Sequence, residues 1–194
     1  MKWTCNSFRG ILLETDSGNV AVNGGGTLDE LEQAYIIDGK APVAMIVTCE
    51  HFHRSRNVNH FCRKHNVQLI TTFRCAQHLE LDGVRTGQLG SFGRRLFLKL
   101  GLGISFIPVR YDSVDPFCFM VHDAKDILGI VPDGRLFSDT LKYLFDCDTV
   151  ILGNELYVSE YAPDVMKRRL KSICNTRTEI NEMFKDFEGE VVYL

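Results

Sequence analysis

The sequence predicts an α/β protein: a four-layer αββα sandwich of two mixed sheets with helices outside both. Three observations lead there. The continuous apolar run Pro42 to Thr48 (PVAMIVT) is too short for a lone helix and rich in β-branched residues, so it reads as a strand buried on both faces. A polar loop, an amphipathic helix and a second strand follow it, an order that makes the two strands parallel through a crossover. The two halves of the chain also share a plan. A hairpin and crossover fill the first, a meander with a helix and a strand fills the second, and two sheets packed face to face would use every apolar face.

In chain order, Gly10 to Glu14 and Asn19 to Val22 read as strands of a hairpin, joined by the turn residues Asp16, Ser17 and Gly18. After Gly24, Gly25 and Gly26, Thr27 and Glu30 form a capping box. Leu28, Leu31, Ala34 and Tyr35 continue at helical spacing, for a helix running to about Asp38. Val58, Phe61 and Cys62 mark an amphipathic helix between Arg56 and His65, and Val67 to Thr71 follows as a strand. Four strands come next: Arg95 to Leu100, Gly103 to Val109, Phe117 to His122 and Asp126 to Val131. Leu100 to Gly103 and His122 to Lys125 serve as turns of this antiparallel meander. Phe137, Leu141, Leu144 and Phe145 mark a helix, and Thr149 to Leu152 a buried strand. Met166, Leu170 and Ile173 mark another helix, and Ile180, Met183, Phe184 and Phe187 a last one. The apolar content of that last helix and of Val191, Val192 and Tyr193 suggests a homodimer interface.

Composition narrows the function classes. The 194 residues carry 22 basic and 25 acidic side chains, a net charge of −3, which excludes a strongly basic nucleic-acid binder. With 45% hydrophobic and 24% charged residues, one compact domain over 1–194 is expected and disorder is not. The seven cysteines have no CxxC pair and no regular spacing, so they read as reduced, mostly buried thiols rather than a disulfide framework. The start, MKWTCNSFRG, does not read as a secretory signal, and no segment reaches the roughly 18 apolar residues of a membrane helix. A cytoplasmic protein without a membrane partner is the expectation.

The most informative stretch is Val47-Thr48-Cys49-Glu50-His51-Phe52-His53-Arg54-Ser55, at the carboxyl end of the buried strand, where α/β folds place ligands. It resembles the signature of the metallo-β-lactamase superfamily, a strand ending in Thr-His-x-His-x-Asp-His before a helix. On that pattern Cys49 stands at the first histidine, His51 matches the second, His53 stands at the aspartate and Arg54 at the last histidine. The resemblance extends over most of the chain, nearest to the ribonuclease Z-like and phosphodiesterase-like branch. Asn23 takes the place of a structural aspartate, Tyr111 that of the next histidine, and Thr176 that of the final one, while Asp133 in Ile130-Val131-Pro132-Asp133-Gly134 matches the metal-bridging aspartate. The resemblance therefore implies the fold with a reduced active site.

A binuclear hydrolase needs several donors on each ion and a bridging water that loses its proton. Arg54, a permanent cation beside those positions, opposes such a centre. The leading expectation is therefore a degenerate member without a cofactor, one that binds an anionic, nucleotide-like small molecule or a protein partner at the old site. His51, His53, Arg54, Arg110 and Tyr111 would supply the donors. Arg54 could instead form an internal ion pair with Glu50, Asp112 or Asp133. The enzyme alternative is a hydrolase with a single Zn²⁺ or Mn²⁺ held by Cys49, His51 and Asp133, with His53 as a further ligand or proton shuttle. The plain alternative to both leaves Cys49 a buried thiol, the histidines ordinary hydrogen-bonding groups and Asp133 a brace for the turn at Gly134.

Three other features carry less. Cys49 with His51 or His53 as nucleophile and base fits no cysteine-protease signature. Gly24 to Gly26 lacks the P-loop ending and reads as a tight turn. The run Lys167-Arg168-Arg169-Leu170-Lys171 reads as the solvated face of a helix, and Arg94-Arg95 as an isolated basic pair.

Overall fold

The computed structural model describes residues 1–7, 10–15, 18–79, 81–86, 95–97, 102–153 and 163–194. Asp16 and Ser17 of the first turn, Arg94, residues 98–100 of one expected strand and the turn residue Gly101 lie outside them.

The first sheet holds five strands in chain order: β1 (Lys2–Cys5), β2 (Ile11–Glu14), β3 (Val20–Val22), β4 (Ala44–Ile46) and β5 (Gln68–Ile70). β1, β2 and β3 are antiparallel neighbours, while β3, β4 and β5 run parallel. The second sheet contains β6 (Arg95–Phe97), β7 (Gly103–Pro108), β8 (Phe117–His122), β9 (Ile127–Val131), β10 (Thr149–Leu152) and β11 (Glu190–Tyr193), in the order β11-β10-β9-β8-β7-β6. β6 to β9 form the antiparallel meander, and β9, β10 and β11 are parallel. Both sheets are mixed.

Burial alternates along the strands as a pleated element requires. In β4, Ala44 and Ile46 enter the layer between the sheets with Ile11, Phe117, Phe119 and Ile151. Met45 and Val47 face outward, against Leu31 and Tyr35 of helix α1 (Leu28–Tyr35) and Phe61 of α3 (Val58–His65). On the second sheet Cys118, Met120 and Val150 face outward against Leu144 of α5 (Ser138–Leu144) and Ile180 of α7 (Arg177–Met183). Helices thus cover both outer faces, which gives the four layers.

Local chemistry sets the helix limits. Thr27 and Glu30 make the expected capping box at α1. The helix stops at Tyr35 rather than Asp38, because Ile37 and Lys40 bridge across a turn whose tip, Asp38 and Gly39, has positive φ. Thr176 makes a second capping box with Glu179 at α7. Of the C-terminal apolar residues, Ile180 and Phe184 are buried within the chain, and Val191 to Tyr193, half-buried, pair with β10 as the edge strand of the second sheet. Of the cysteines, Cys5 is exposed and Cys174 half-buried; the other five are buried. No helix among the described residues is long and apolar enough to cross a membrane.

Candidate functional site

Three segments converge at the strand ends. The loop after β4 carries Cys49 to His51 into a single helical turn, α2 (Phe52–Ser55); the loop after β7 carries Arg110 to Asp115; the loop after β9 carries Pro132 to Gly134. The region expected to be a polar loop is partly this turn, held by the Ser55 hydroxyl donating to the carbonyls of Glu50 (2.8 Å) and His51 (3.0 Å).

Behind the turn lies the glycine run. Its Gly24 and Gly25 are not positive-φ turn residues. Their smallness serves close approach: the Gly24 amide donates to the Arg54 carbonyl at 2.6 Å, and a Cβ on Gly25 would lie 1.9 Å from the His53 carbonyl oxygen. Asn23, in the left-handed region at φ 60°, is buried and accepts from the Thr48 amide (3.0 Å) and hydroxyl (3.1 Å) through Oδ1. Its buried Nδ2 has no partner among the described residues.

Arg54 occupies the centre. Its side chain is 3% exposed; Nε donates to Asp133 Oδ2 at 2.5 Å and Nη2 to the Pro132 carbonyl at 3.1 Å. Of the three internal partners open from sequence, the guanidinium takes Asp133. Burial pulls the Arg54 pKa down, but the hydrogen bond and charge of Asp133 outweigh it and leave the pKa above its ordinary value. This pair links the loop after β4, in one sheet, to the loop after β9, in the other.

Around the pair sit the remaining candidates. His51 Nε2 lies 3.0 Å from the Asp112 carbonyl, a hydrogen bond that requires the proton on Nε2. Its ring centroid is 5.6 Å from that of His53 and 5.2 Å from that of Tyr111. His53 is 53% exposed, with Nε2 3.9 Å from Asp133 Oδ2, and burial of the rest of the ring lowers its pKa. Burial first, and then the Asp133 charge, raises the Tyr111 pKa, so the phenol keeps its proton; its hydroxyl has no hydrogen-bond partner among the described residues. Arg110 is exposed, and its backbone bridges to Arg135, but no contact joins its side chain to this group among the described residues.

Two neighbours brace the rim, and the sequence did not single out either role. Burial opposes ionisation of Glu50, yet hydrogen bonds from the Ser113 hydroxyl (2.6 Å) and the Val114 amide (3.1 Å) hold its pKa below the usual value. The Asp112 carboxylate pairs with Arg169 of helix α6 (Asp164–Ile173). Thr176, the expected stand-in for the last histidine, caps α7 instead of facing these groups.

The expected metal set does not assemble. Among the described residues no three His, Cys, Asp or Glu side chains are grouped to hold an ion, and Cys49, His51 and Asp133 are no exception. Asp133 is engaged by a guanidinium, a cation standing where a second cation would be repelled. Cys49 is 1% exposed, and burial pushes its thiol up to about 12, the opposite of the lowered value that a thiolate nucleophile needs. A separate concavity of about 670 Å³ lies between β7 and α5, lined by Phe106, Pro108, Phe137 and Tyr143 among others, and includes none of these site residues.

At the level of sequence, no family model and no curated protein matches the chain. Solved structures do match. A metallo-β-lactamase fold protein, YhfI from Bacillus subtilis, superposes with a TM-score of 0.70 at 13% identity, over 95% of this chain and 87% of that one. A diphosphatase of the PhnP family gives 0.72 at 11% identity, over 95% and 71%. The short form of human tRNase Z gives 0.67 at 12%, over 95% and 88%. Identities this low speak to architecture alone. The order of strands in two mixed sheets, the outer helices and these superpositions agree that the chain has the metallo-β-lactamase fold.

Proposed function

We propose that this chain is a degenerate member of its fold, binding a small anion with a phosphate or carboxylate group at the old site and lacking binuclear hydrolase activity. The observation that carries the reading is the buried Arg54–Asp133 pair. It commits the one carboxylate that matched a bridging metal ligand and places a fixed positive charge in the centre. The pair leaves His51, His53 and Tyr111 as the group facing outward. The phenol and the His53 ring offer O–H and N–H donors to anionic oxygen, while His51, whose Nε2–H is given to the Asp112 carbonyl, donates to an anion through Nδ1 only as the imidazolium. Arg54 itself acts from behind, as a charge and a brace.

A nucleoside monophosphate panel tests this through thermal unfolding. A ligand that binds only the folded chain raises its stability by about 2.7 kcal/mol at one hundred times Kd. At least one member is expected to raise Tm, with the shift reduced in His51→Ala and Tyr111→Phe. No shift across the panel would remove nucleotides as the ligand. Near-stoichiometric zinc in protein purified without chelator, together with phosphodiesterase turnover lost in Cys49→Ala, would overturn the non-hydrolytic reading.

A further inference from the structure

Asp112 connects the imidazole group to helix α6. Its backbone carbonyl holds His51 Nε2 at 3.0 Å, and its carboxylate, 3.9 Å from the same nitrogen, pairs with Arg169. The next residue back is Tyr111, whose ring lies tilted at 59° with its centroid 5.2 Å from that of His51. A carboxylate therefore already sits at the edge of the imidazole and phenol group, with an arginine on its far side.

Helix α6, which supplies that arginine, is held lightly. None of its ten residues is buried, and Val165 and Met166 are 71% and 55% exposed. Arg135 grips its C-terminal end, donating to the carbonyls of Lys171 and Cys174, each at 2.8 Å, while Nη2 binds Glu179. Further along the helix, the Asp112 pair ties it to the site. Arg169 is 67% exposed, and an ion pair open to solvent on one side contributes little, so its partner can be exchanged at low cost. The helix also carries Lys167, Arg168 and Lys171 against a single acid, Asp164, on a chain whose net charge is −3.

We infer that the Asp112 carboxylate is an internal stand-in for the ligand's anion, and that binding transfers Arg169 from Asp112 to the incoming anion. This rests on the anion-binding reading above. Asp112 then has two roles: its carbonyl holds the His51 Nε2–H in both states, and its carboxylate competes with the ligand. Arg169 becomes an anion-contacting residue brought by α6, and α6 shifts its tie when the site fills. A dianion with oxygens on several sides meets this arrangement better than a monoanion, because it can face His51 and Arg169 at once.

Sulfate is the probe, since its charge does not change over the working pH range, with ionic strength held constant by chloride. Asp112→Asn keeps the backbone carbonyl and removes the competitor, so sulfate is expected to bind about tenfold tighter, or about 1.4 kcal/mol. Arg169→Ala should weaken it by a similar factor, with Arg169→Lys between. Hydrogen exchange in α6 should respond to sulfate in the wild type and not in Arg169→Ala. If sulfate binds the wild type, His51→Ala abolishes binding, and both the Asp112 and Arg169 variants bind unchanged, the exchange is wrong while the anion site stands. Binding seen only in Asp112→Asn would support both. Absence of binding in every variant, each folded by circular dichroism, would remove the exchange and the anion site together.

Discussion

At the scale of single residues, His53 decides how the site responds to pH. Its pKa is lowered by burial from the ordinary 6.5, so the folded chain resists a proton that the unfolded chain accepts. The contribution to stability is complete above 6.5 and is lost as pH falls from there to the folded pKa. Sulfate on the imidazoles favours the charged ring and opposes that loss. The gain in unfolding midpoint from a fixed sulfate concentration is therefore expected to grow between about pH 7.5 and 5.5, and to flatten in His53→Ala. A gain that stays constant with pH in the wild type would mean that no imidazole charges on binding. The sequence placed His51, His53 and Tyr111 together through one motif and one strand end, and in the structure the His51 ring lies 5.6 Å from that of His53 and 5.2 Å from that of Tyr111. It left the partner of Arg54 open among three carboxylates, because the one chosen lies 79 residues away and no local pattern reaches that far.

Elements show where sequence patterns stop informing. Apolar runs, helical spacing and the Thr27–Glu30 capping box identified β4, β8, α1 and α7, while the second capping box at Thr176 went unread. β1 was missed: it is an edge strand with an exposed, polar composition, attached through Trp3 to the inter-sheet core. α2 is one turn, too short to show a period, and α4 (Phe73–His78) has only the Thr72 hydroxyl cap on Cys75 as a signal. The glycine run misled for a related reason. Its requirement comes from contact with a distant backbone, whereas the pattern suggested a local turn. A Gly25→Ala change would drive Cβ into the His53 carbonyl at 1.9 Å, a backbone atom that cannot rotate away. It is expected to cost about 1–3 kcal/mol of stability in urea unfolding and to shift the His51 and His53 ring resonances. Gly39→Ala serves as a control without steric contact, since nothing lies within 4 Å of a Cβ there; it pays only for its φ of +72°. Equal effects at the two positions would show that Gly25 is not a packing seat.

Across the whole molecule, the two sheets share one apolar layer, and Arg54–Asp133 closes their ends over the site. In such a fold the charge that binds loops from both sheets can come from an ion or from a side chain. Here the guanidinium holds the position, and the physical difference is measurable. Removing one partner strands the other, so Arg54→Ala and Asp133→Ala should each destabilise strongly, by about 3 kcal/mol, which is the scale for a buried pair broken on one side. The double variant should lose less than the sum, by at least about 1 kcal/mol, because neither charge is then left uncompensated. Arg54 is 3% exposed and Asp133 17%, so stranding the carboxylate in Arg54→Ala falls toward the smaller end and stranding the guanidinium in Asp133→Ala toward the larger. The same closure should be indifferent to chelator. A structural zinc contributes about 10–16 kcal/mol in small zinc-held domains, and its removal would lower Tm far beyond the ~2–4 °C that 1 kcal/mol moves a chain of this size. An unchanged midpoint in chelator, together with coupling in the double variant, would assign the closing charge to Arg54. A large drop in chelator, or strict additivity of the two single changes, would take that role away from it.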